Sequence, residues 1–334
     1  MNNSTELAGP LELLPPVDFC CDYGSSLQSN NKDKTSMVDY IIGVADPEEW
    51  HAENLERNRN HYSRWMAGLG PKIITCVADR VGVGVHFNPF VEWREKMIKY
   101  GVVRMHDLAQ DILTWDRFYL SGRLQKPVHV LIDNWDIRKV NVVNLKVATC
   151  AALLLLPPVF TEEDLYVKIC SLSYTGDLRM LFAEDKDKVK KIVQGRFKEF
   201  QAMYKPLLVE YADEGFLDFS YHPHFTFQQD CGLSATASLF SSLPSAVHSR
   251  MFLGSHKPPV SGEMASEITI SSRSQAARRV LKALRRTVLV SSTRQAVSGL
   301  IATGGVNAAR YLARKMSKAW KSRSSRRIPE SSCG

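Results

Sequence analysis

Residues 20–42, CCDYGSSLQSNNKDKTSMVDYII, constrain the fold more than any other stretch of this 334-residue chain. An apolar run rich in β-formers stops at Gly24-Ser25, a polar segment follows, and a second such run opens with Asp39. Alternation in VDFCCDY and in MVDYIIGVA predicts two strands joined by a polar loop over 24–36. Gly has no Cβ, so backbone N–H groups and the neighbouring hydroxyl can approach a polyphosphate closely. A carboxylate on the adjacent strand can then hold a hard cation such as Mg²⁺ against the same phosphates.

Thirteen residues separate Ser25 from Asp39. That spacing resembles the strand–loop–strand pattern of the nucleotidyltransferase superfamily, in which a second acid follows two residues after the first. Here that position, which shares a strand face with Asp39, is Ile41. Asp133 or Asp136, at the end of the run KPVHVLIDNWD, could supply another ligand from a nearby strand; Asp46, before Pro47, is a weaker candidate.

The rest of the chain divides by texture. After MVDYIIGVA, Pro47 opens a helix running to Gly68 or Gly70. KIITCVAD and VGVHFNPFVEW read as strands joined at a turn. HDLAQDILTWDRFYLSG is amphipathic, with Leu108, Ile112, Leu113, Trp115 and Phe118 on one side, and PVHVLID reads as a further strand. From residue 141 helices dominate: a buried one through CAALLLL, one from 161 capped by Thr161 with Asp164, and one through EDKDKVKKIVQGRFKEFQAMYKPLLVEYADEG. The expected organisation is an α/β (α+β) domain over 17–140 after an N-terminal extension, 1–16. A mostly helical domain over 141–219, a Ser/Pro/Gly-rich linker over 220–272 and a basic tail over 273–327 follow.

Charge is concentrated in that tail. Residues 271–334 hold fifteen of the 43 Lys/Arg and one of the 35 Asp/Glu, which leaves 28 basic against 34 acidic residues in the remainder. The body therefore shows no nucleic-acid footprint, and nucleic acid is not expected as a partner. In the tail, Val280, Leu281, Leu284 and Val288 share one helical face and Arg278, Arg279, Lys282, Arg285 and Arg286 the other. Val297, Ile301, Gly304, Ala308 and Leu312 form a second stripe, followed by Arg310, Arg314, Lys315, Lys318 and Lys321 with Tyr311 and Trp320 among them. The expected partner of such a helix is an anionic membrane surface. No segment is long and apolar enough to cross a bilayer. The seven cysteines are scattered without a CxxC pair, which speaks against zinc or a disulfide framework. The N-terminal stretch lacks Arg and carries Glu6 and Glu12, unlike a secretory signal or an organellar transit peptide.

Several separated motifs together narrow the reading: DYGSS, MVDYIIGVADPEEWH, HYSRW…LGPKIIT, GVGVHFNPF, KYGVV, YLSGRLQKPV, EEDLYVKICSLSYTGDLRM and AEDKDKVKKIV. With them the chain closely resembles the translocator assembly and maintenance family of mitochondrial phosphatidate cytidylyltransferases (CDP-diacylglycerol synthases), most of all its plant members. The likeness runs over residues 12–215 and more loosely through the tail. Many relatives read Gly-Ser-Gly where this chain has Gly24-Ser25-Ser26.

The resemblance implies a nucleotidyltransferase-fold domain followed by a winged-helix-like one, with the pocket between them. It implies CTP and phosphatidic acid as substrates, Mg²⁺ as cofactor, and a peripheral position on the matrix side of the mitochondrial inner membrane, feeding cardiolipin synthesis. On this reading Gly24, Ser25 and Ser26 cradle the triphosphate, with Tyr23 of the same motif beside them. Asp39 binds the metal, with Asp133 or Asp136 as further ligands. Arg123 and Lys126 neutralise phosphate, since Arg grips phosphate bidentately and Lys acts as a point charge. Asn88 either contacts the nucleotide or caps a turn. Asp177 and Arg179 belong to the pattern, with a junction-fixing pair and a substrate contact both open. The competing classes are a non-enzymatic membrane-associated import assembly factor and a nucleotidyltransferase acting on another acceptor.

Overall fold

The two runs around the polar loop form β1 (Phe19–Tyr23) and β2 (Val38–Val44), paired antiparallel with Tyr23 opposite Asp39 in the computed structural model. The structure describes residues 7–24, 37–94, 96–177, 180, 187–220, 226–252 and 271–304. Asp46 accepts hydrogen bonds from the backbone of Glu48 (2.8 Å) and Glu49 (3.4 Å), which caps α1 (Pro47–Arg57) and commits this carboxylate to the helix rather than to a metal. The single helix expected to Gly68 or Gly70 is interrupted after Arg57 and resumes as α2 (Arg64–Leu69). KIITCVAD is not a strand: Pro71 opens α3 (Pro71–Cys76), which continues into a wider π turn over Val77–Val81. Its β-branched residues suit either state, and burial of Ile74 beneath Tyr62 and Met66 decides for helix.

Strands β3 (Val85–Trp93) and β4 (Lys96–Arg104) form a hairpin, followed by α4 (Met105–Thr114), α5 (Ser121–Leu124) and β5 (His129–Asp133). The sheet order is β3-β4-β2-β1-β5, with β2 and β4 parallel and the other neighbours antiparallel. Alternation divides every strand between two faces. Phe19, Cys21, Ile41, Val85, Phe87 and Val103 face Leu108 and Ile112 of α4. Cys20, Tyr40, Ile42, Tyr100 and Val102 face Trp50 of α1. The stretch assigned to an N-terminal extension packs here too: Leu14 is buried, and the Trp50 indole donates to the carbonyl of Pro16 at 3.1 Å.

The second body runs α6 (Ile137–Leu155), β6 (Val159–Phe160), α7 (Glu162–Leu172), α8 (Lys188–Gly195), α9 (Phe197–Asp213), β7 (Leu217–Ser220) and β8 (Thr226–Gln229). Its small antiparallel sheet has the order β6-β8-β7 and packs against these helices through Phe160, Leu217 and Phe227. Thr161 and Asp164 form the expected capping box on α7.

The segment read as a linker over 220–272 is largely structural where it is described. It completes the small sheet with β8 and adds α10 (Leu233–Ser241) and α11 (Ser245–Phe252), which bury Phe227, Leu239, Phe240 and Val247. Among the described residues, Gly232 sits at the N-cap of α10, and Ser234, Ser238, Ser241 and Ser249 are exposed on the two helices. The tail also serves the fold. In α12 (Arg273–Thr303), Val280, Leu284 and Val288 are buried in the second body's core, so this half of the predicted lipid-facing stripe faces protein; Leu281 alone of the four is exposed. Further along, α12 crosses to the first body. Arg294 donates to the carbonyls of Val81 (3.1 Å) and Arg80 (2.8 Å), and Gln295 to that of Val85 (3.3 Å). Ala308, Leu312 and the basic residues from Arg310 onward lie outside the described residues.

Candidate active site

The chemistry gathers where β1 ends. Gly24 has φ +110°, and a Cβ there would stand 3.1 Å from Asp39 Oδ2, so only glycine lets the chain turn against this carboxylate. Register does the rest. Tyr23 pairs with Asp39, Asp39 pairs with Lys99 on β4, and all three share the face that carries Phe87. Lys99 Nζ lies 3.5 Å from Asp39 Oδ1 and 4.3 Å from the Phe87 ring centroid. The Tyr23 hydroxyl is buried without a hydrogen-bond partner among the described residues, and burial pushes its phenol pKa up, which keeps the proton on as a donor.

Arg123 closes this corner from α5. Its guanidinium stands 3.9 Å from the Tyr119 ring centroid and 5.2 Å from that of Tyr23. One buried carboxylate shapes the approach to α5. Asp111 accepts from the backbone N–H groups of Arg117, Phe118, Tyr119, Leu120 and Ser121 at 2.7–3.1 Å, holding the loop that presents Tyr119 and Arg123. Lys126 leaves the end of α5 for the second body, where Nζ donates to Ser173 Oγ at 2.8 Å. Asp177 is buried in the turn that follows Ser173. Beside Gly24, Asp22 is fully buried on the opposite sheet face, binds the His129 backbone N–H at 3.0 Å and pairs with the His129 ring at 3.2 Å. Arg196 of the second body donates to the Pro127 carbonyl at 2.9 Å and reaches the other nitrogen of His129 at 3.3 Å, which pins the two bodies together next to the site.

Three predicted site residues lie elsewhere. Asp133 pairs with Phe19, at the far end of β1 from Tyr23. Four residues of strand put it about 13 Å along the sheet from the Asp39 level. Its oxygens accept from the Ile137 and Arg138 backbone at 2.7 and 3.0 Å, capping α6. Asp136 is exposed and pairs with Lys139 at 2.9 Å. Neither joins Asp39, because β5 runs antiparallel to β1 and its last residues point away from Gly24. Asn88 pairs across with Tyr100, which places it on the other face of the sheet from Asp39. There it belongs to a buried polar cluster: Asn88 Oδ1 meets His86 at 3.0 Å, Asn54 donates to the hydroxyls of Tyr62 (2.8 Å) and Tyr100 (2.9 Å), and His51 and His61 meet those hydroxyls at 2.8 Å each. Burial lowers the His86 pKa to about 4 and moves His51 in the same direction. Ser25, Ser26 and Arg179 lie outside the described residues.

Two residues were not found from sequence. Lys99 lies in KYGVV, but only the parallel pairing of β2 with β4 brings it to Asp39. Asp111 lies within an amphipathic helix pattern that gives no sign of the loop it organises. Among the described residues no three His, Cys, Asp or Glu side chains gather as a metal site. A Mg²⁺ ion carried by a polyphosphate needs only one or two protein carboxylates. Asp39, a partly exposed oxygen donor beside the cradle at Gly24, fits that requirement.

What this corner can do is hold a multiply charged anion against a single carboxylate, with an ammonium, a guanidinium and a phenol converging on it. Those are the means by which enzymes that transfer nucleotidyl groups manage a triphosphate. The family model for "Phosphatidate cytidylyltransferase, mitochondrial" matches residues 8–318. Proteins of that name are similar to this chain in Xenopus laevis (35% identity, 92% of this chain and 91% of the relative), in Bos taurus (35%, 90% and 89%) and in Schizosaccharomyces pombe (33%, 91% and 80%). The chain belongs to the mitochondrial phosphatidate cytidylyltransferase family. A solved nucleotidyltransferase-like protein from Exiguobacterium sibiricum aligns with a TM-score of 0.23 and 8% identity over 89% of this chain and 76% of that one, which adds nothing to the assignment.

Proposed function

We propose that this chain transfers the cytidylyl group of CTP to the phosphate of phosphatidic acid, giving CDP-diacylglycerol and pyrophosphate. The observation that carries the reading is Gly24 turned against Asp39, with Lys99 at 3.5 Å and Arg123 over Tyr23. A phosphate monoester is largely dianionic at neutral pH, so the acceptor needs no general base. One of its oxygens attacks the α-phosphorus; the new P–O bond forms as the bond to the bridging oxygen of pyrophosphate breaks, and the electron pair leaves with pyrophosphate. Catalysis then consists of alignment and neutralisation of the departing charge. The backbone at Gly24 admits the triphosphate, the Tyr23 hydroxyl donates to one of its oxygens, and Lys99 and Arg123 face the leaving group. Asp39 would hold Mg²⁺, which when bound supplies Lewis-acid charge compensation on the phosphates.

Both lipids keep their acyl chains in a bilayer, so the body works at a membrane surface. Among the described residues no helix is long and apolar enough to cross one. The outward face of α12 suits surface contact instead: Arg278, Lys282, Arg285 and Arg286 are exposed along its first half, and Leu289, Val290, Val297 and Leu300 along its second. Basic groups beside apolar ones favour an anionic lipid surface, with an attraction that weakens as salt rises. The relatives' name places them in mitochondria; for this chain we take the matrix face of the inner membrane as the site of action and cardiolipin as the downstream lipid. The test is turnover of labelled CTP on phosphatidate-containing vesicles with Mg²⁺. Lipid-extractable label from the wild type but not from Asp39→Asn supports the reaction and the site together. No label from either, with vesicle binding intact, removes the enzyme reading.

A further inference from the structure

Asp22 lies two residues before Gly24 and is fully buried, on the sheet face opposite Asp39. A carboxylate removed from water needs donors aimed at it. The register of β5 supplies them. Between Cys20 and Cys21 the pairing slips by one residue, which leaves Leu131 without a partner on β1 and sets His129, rather than Val130, opposite Asp22. The His129 backbone N–H donates to Asp22 Oδ1 at 3.0 Å, and the ring Nδ1 lies 3.2 Å from the same oxygen. From the other side, Arg196 Nη2 reaches the ring Nε2 at 3.3 Å. Arg196 is itself buried, donates to the Pro127 carbonyl at 2.9 Å and pairs with Glu199 at 3.3 Å.

A guanidinium has only protons to offer. Nε2 must therefore accept, and a neutral ring then carries its proton on Nδ1, toward Asp22. The other tautomer would set a lone pair against the carboxylate and a proton against the guanidinium. A doubly protonated ring would satisfy Asp22 but meet Arg196 proton to proton. Only the neutral ring protonated on Nδ1 suits both ends, with a negative, a neutral and a positive group in line. We infer that Asp22, His129 and Arg196 form one hydrogen-bonded line in this protonation state, and that His129 is thereby a positioning residue that couples the Gly24 turn to the second body. Its kinetic consequence rests on the reaction proposed above.

Position supports the role. The start of the second body's α9 follows the run from α5 to β5 at three points. Tyr204 donates to the Gln125 carbonyl at 2.8 Å, and Arg196 contacts Pro127 and His129. The first two contacts hold the chain just beyond Arg123. The third passes through the imidazole to Asp22, next to Tyr23. One helix of the second body thus holds both sides of the phosphate corner, the Arg123 side through the backbone and the Gly24 side through the His129 ring. Where catalysis consists of alignment, such spacing is read in kcat rather than in the hold on CTP.

The experiment has a spectroscopic and a kinetic arm, both on the full chain. Nitrogen NMR of protein labelled at histidine, at neutral pH, identifies the His129 ring by the signals lost in His129→Gln. A proton on Nδ1 and none on Nε2 is the expected result; a proton on Nε2, alone or with one on Nδ1, overturns the inference. Turnover of labelled CTP on phosphatidate-containing vesicles with Mg²⁺ then compares His129→Leu with His129→Gln. His129→Leu should lower kcat about tenfold and leave KM for CTP as in the wild type. His129→Gln, whose amide can donate to Asp22 and accept from Arg196, should restore most of the loss. Unchanged kcat in His129→Leu, or a loss that His129→Gln does not restore, overturns the positioning role. Where His129→Leu fails to fold, Asp22→Ala combined with His129→Leu removes the stranded carboxylate, and the same fall in kcat is expected of it; wild-type kcat in the folded double variant overturns the role. If the wild type transfers no label while the ring carries its proton on Nδ1, the hydrogen-bonded line stands and the reaction reading alone falls.

Discussion

The two faces of the five-stranded sheet use neighbouring residues for opposite purposes. On β2 and β4, Asp39 and Lys99 point to one face, and Tyr40 and Tyr100, each one residue on, point to the other. The first face ends in charged, partly exposed groups at Gly24. The second buries Asn54, His51, His86, Asn88 and Tyr100 in a cluster of neutral, hydrogen-bonded side chains. A buried polar group that is satisfied rigidifies the sheet, whereas a charged group left at the rim can change partners when a ligand arrives. The pleat, not distance along the chain, separates support from chemistry.

The strongest way to break this contrast is Asp39→Asn. Turnover should fall by about 10³-fold, as for loss of a central electrostatic group in a transferase site, while thermal melting stays unchanged. A large loss of stability would show that the rim is structural after all.

Next in size is an acid response confined to the buried face. His86 has its pKa lowered from the usual 6.5 to about 4, so the unfolded chain binds the proton more readily than the folded one. Its contribution is therefore fully present above pH 6.5 and is lost as pH falls toward 4, in total about 3 kcal/mol. Urea melts at pH 7.5 and 5.5 should show the decline in the wild type and a shallower one in His86→Gln. Equal slopes would mean that His86 is not held neutral.

A smaller effect sharpens the comparison at the rim. Lys99→Met should lower kcat/KM for CTP roughly 10- to 100-fold with little change in melting, since one charge-assisted contact to phosphate is lost. Smallest is Tyr100→Phe, which removes the acceptor for Asn54 and the partner of His61. It should cost about 1 kcal/mol in urea melts and leave turnover intact.

How much of this could be read in advance follows from the range of the interactions. Gly24 and Asp39 were legible because two strands consecutive in sequence pair antiparallel and bring them together, and because glycine before a lone carboxylate is chemically unusual. The cap at Thr161 and the buried helix through CAALLLL were legible for the same reason, being local. Lys99 was hidden because a parallel pairing between distant strands supplies it. Asp133 misled because an apolar run ending in Asp resembles β2, and only the direction of β5 shows that its end lies at the wrong side of the sheet. The helical period of the tail correctly marked an apolar stripe on α12. Periodicity says that a face will be covered but not by what, and Val280, Leu284 and Val288 are covered by the protein's own core. The Ser-rich run through α10 and α11 looked like a linker because small residues on exposed faces carry no pattern, whereas Leu239, Phe240 and Val247 between them do the packing.

The path of α12 has a consequence for how the chain reaches its native state. Arg294 and Val81 meet across 213 residues, and Ser63 bonds the Ala302 carbonyl across 239. Contacts of such sequence separation form late, because a long loop must close before they contribute. The second core is also incomplete without Val280, Leu284 and Val288, which follow its other elements in sequence. Before α12 docks, the apolar side chains that it covers are exposed, and its docking completes the core.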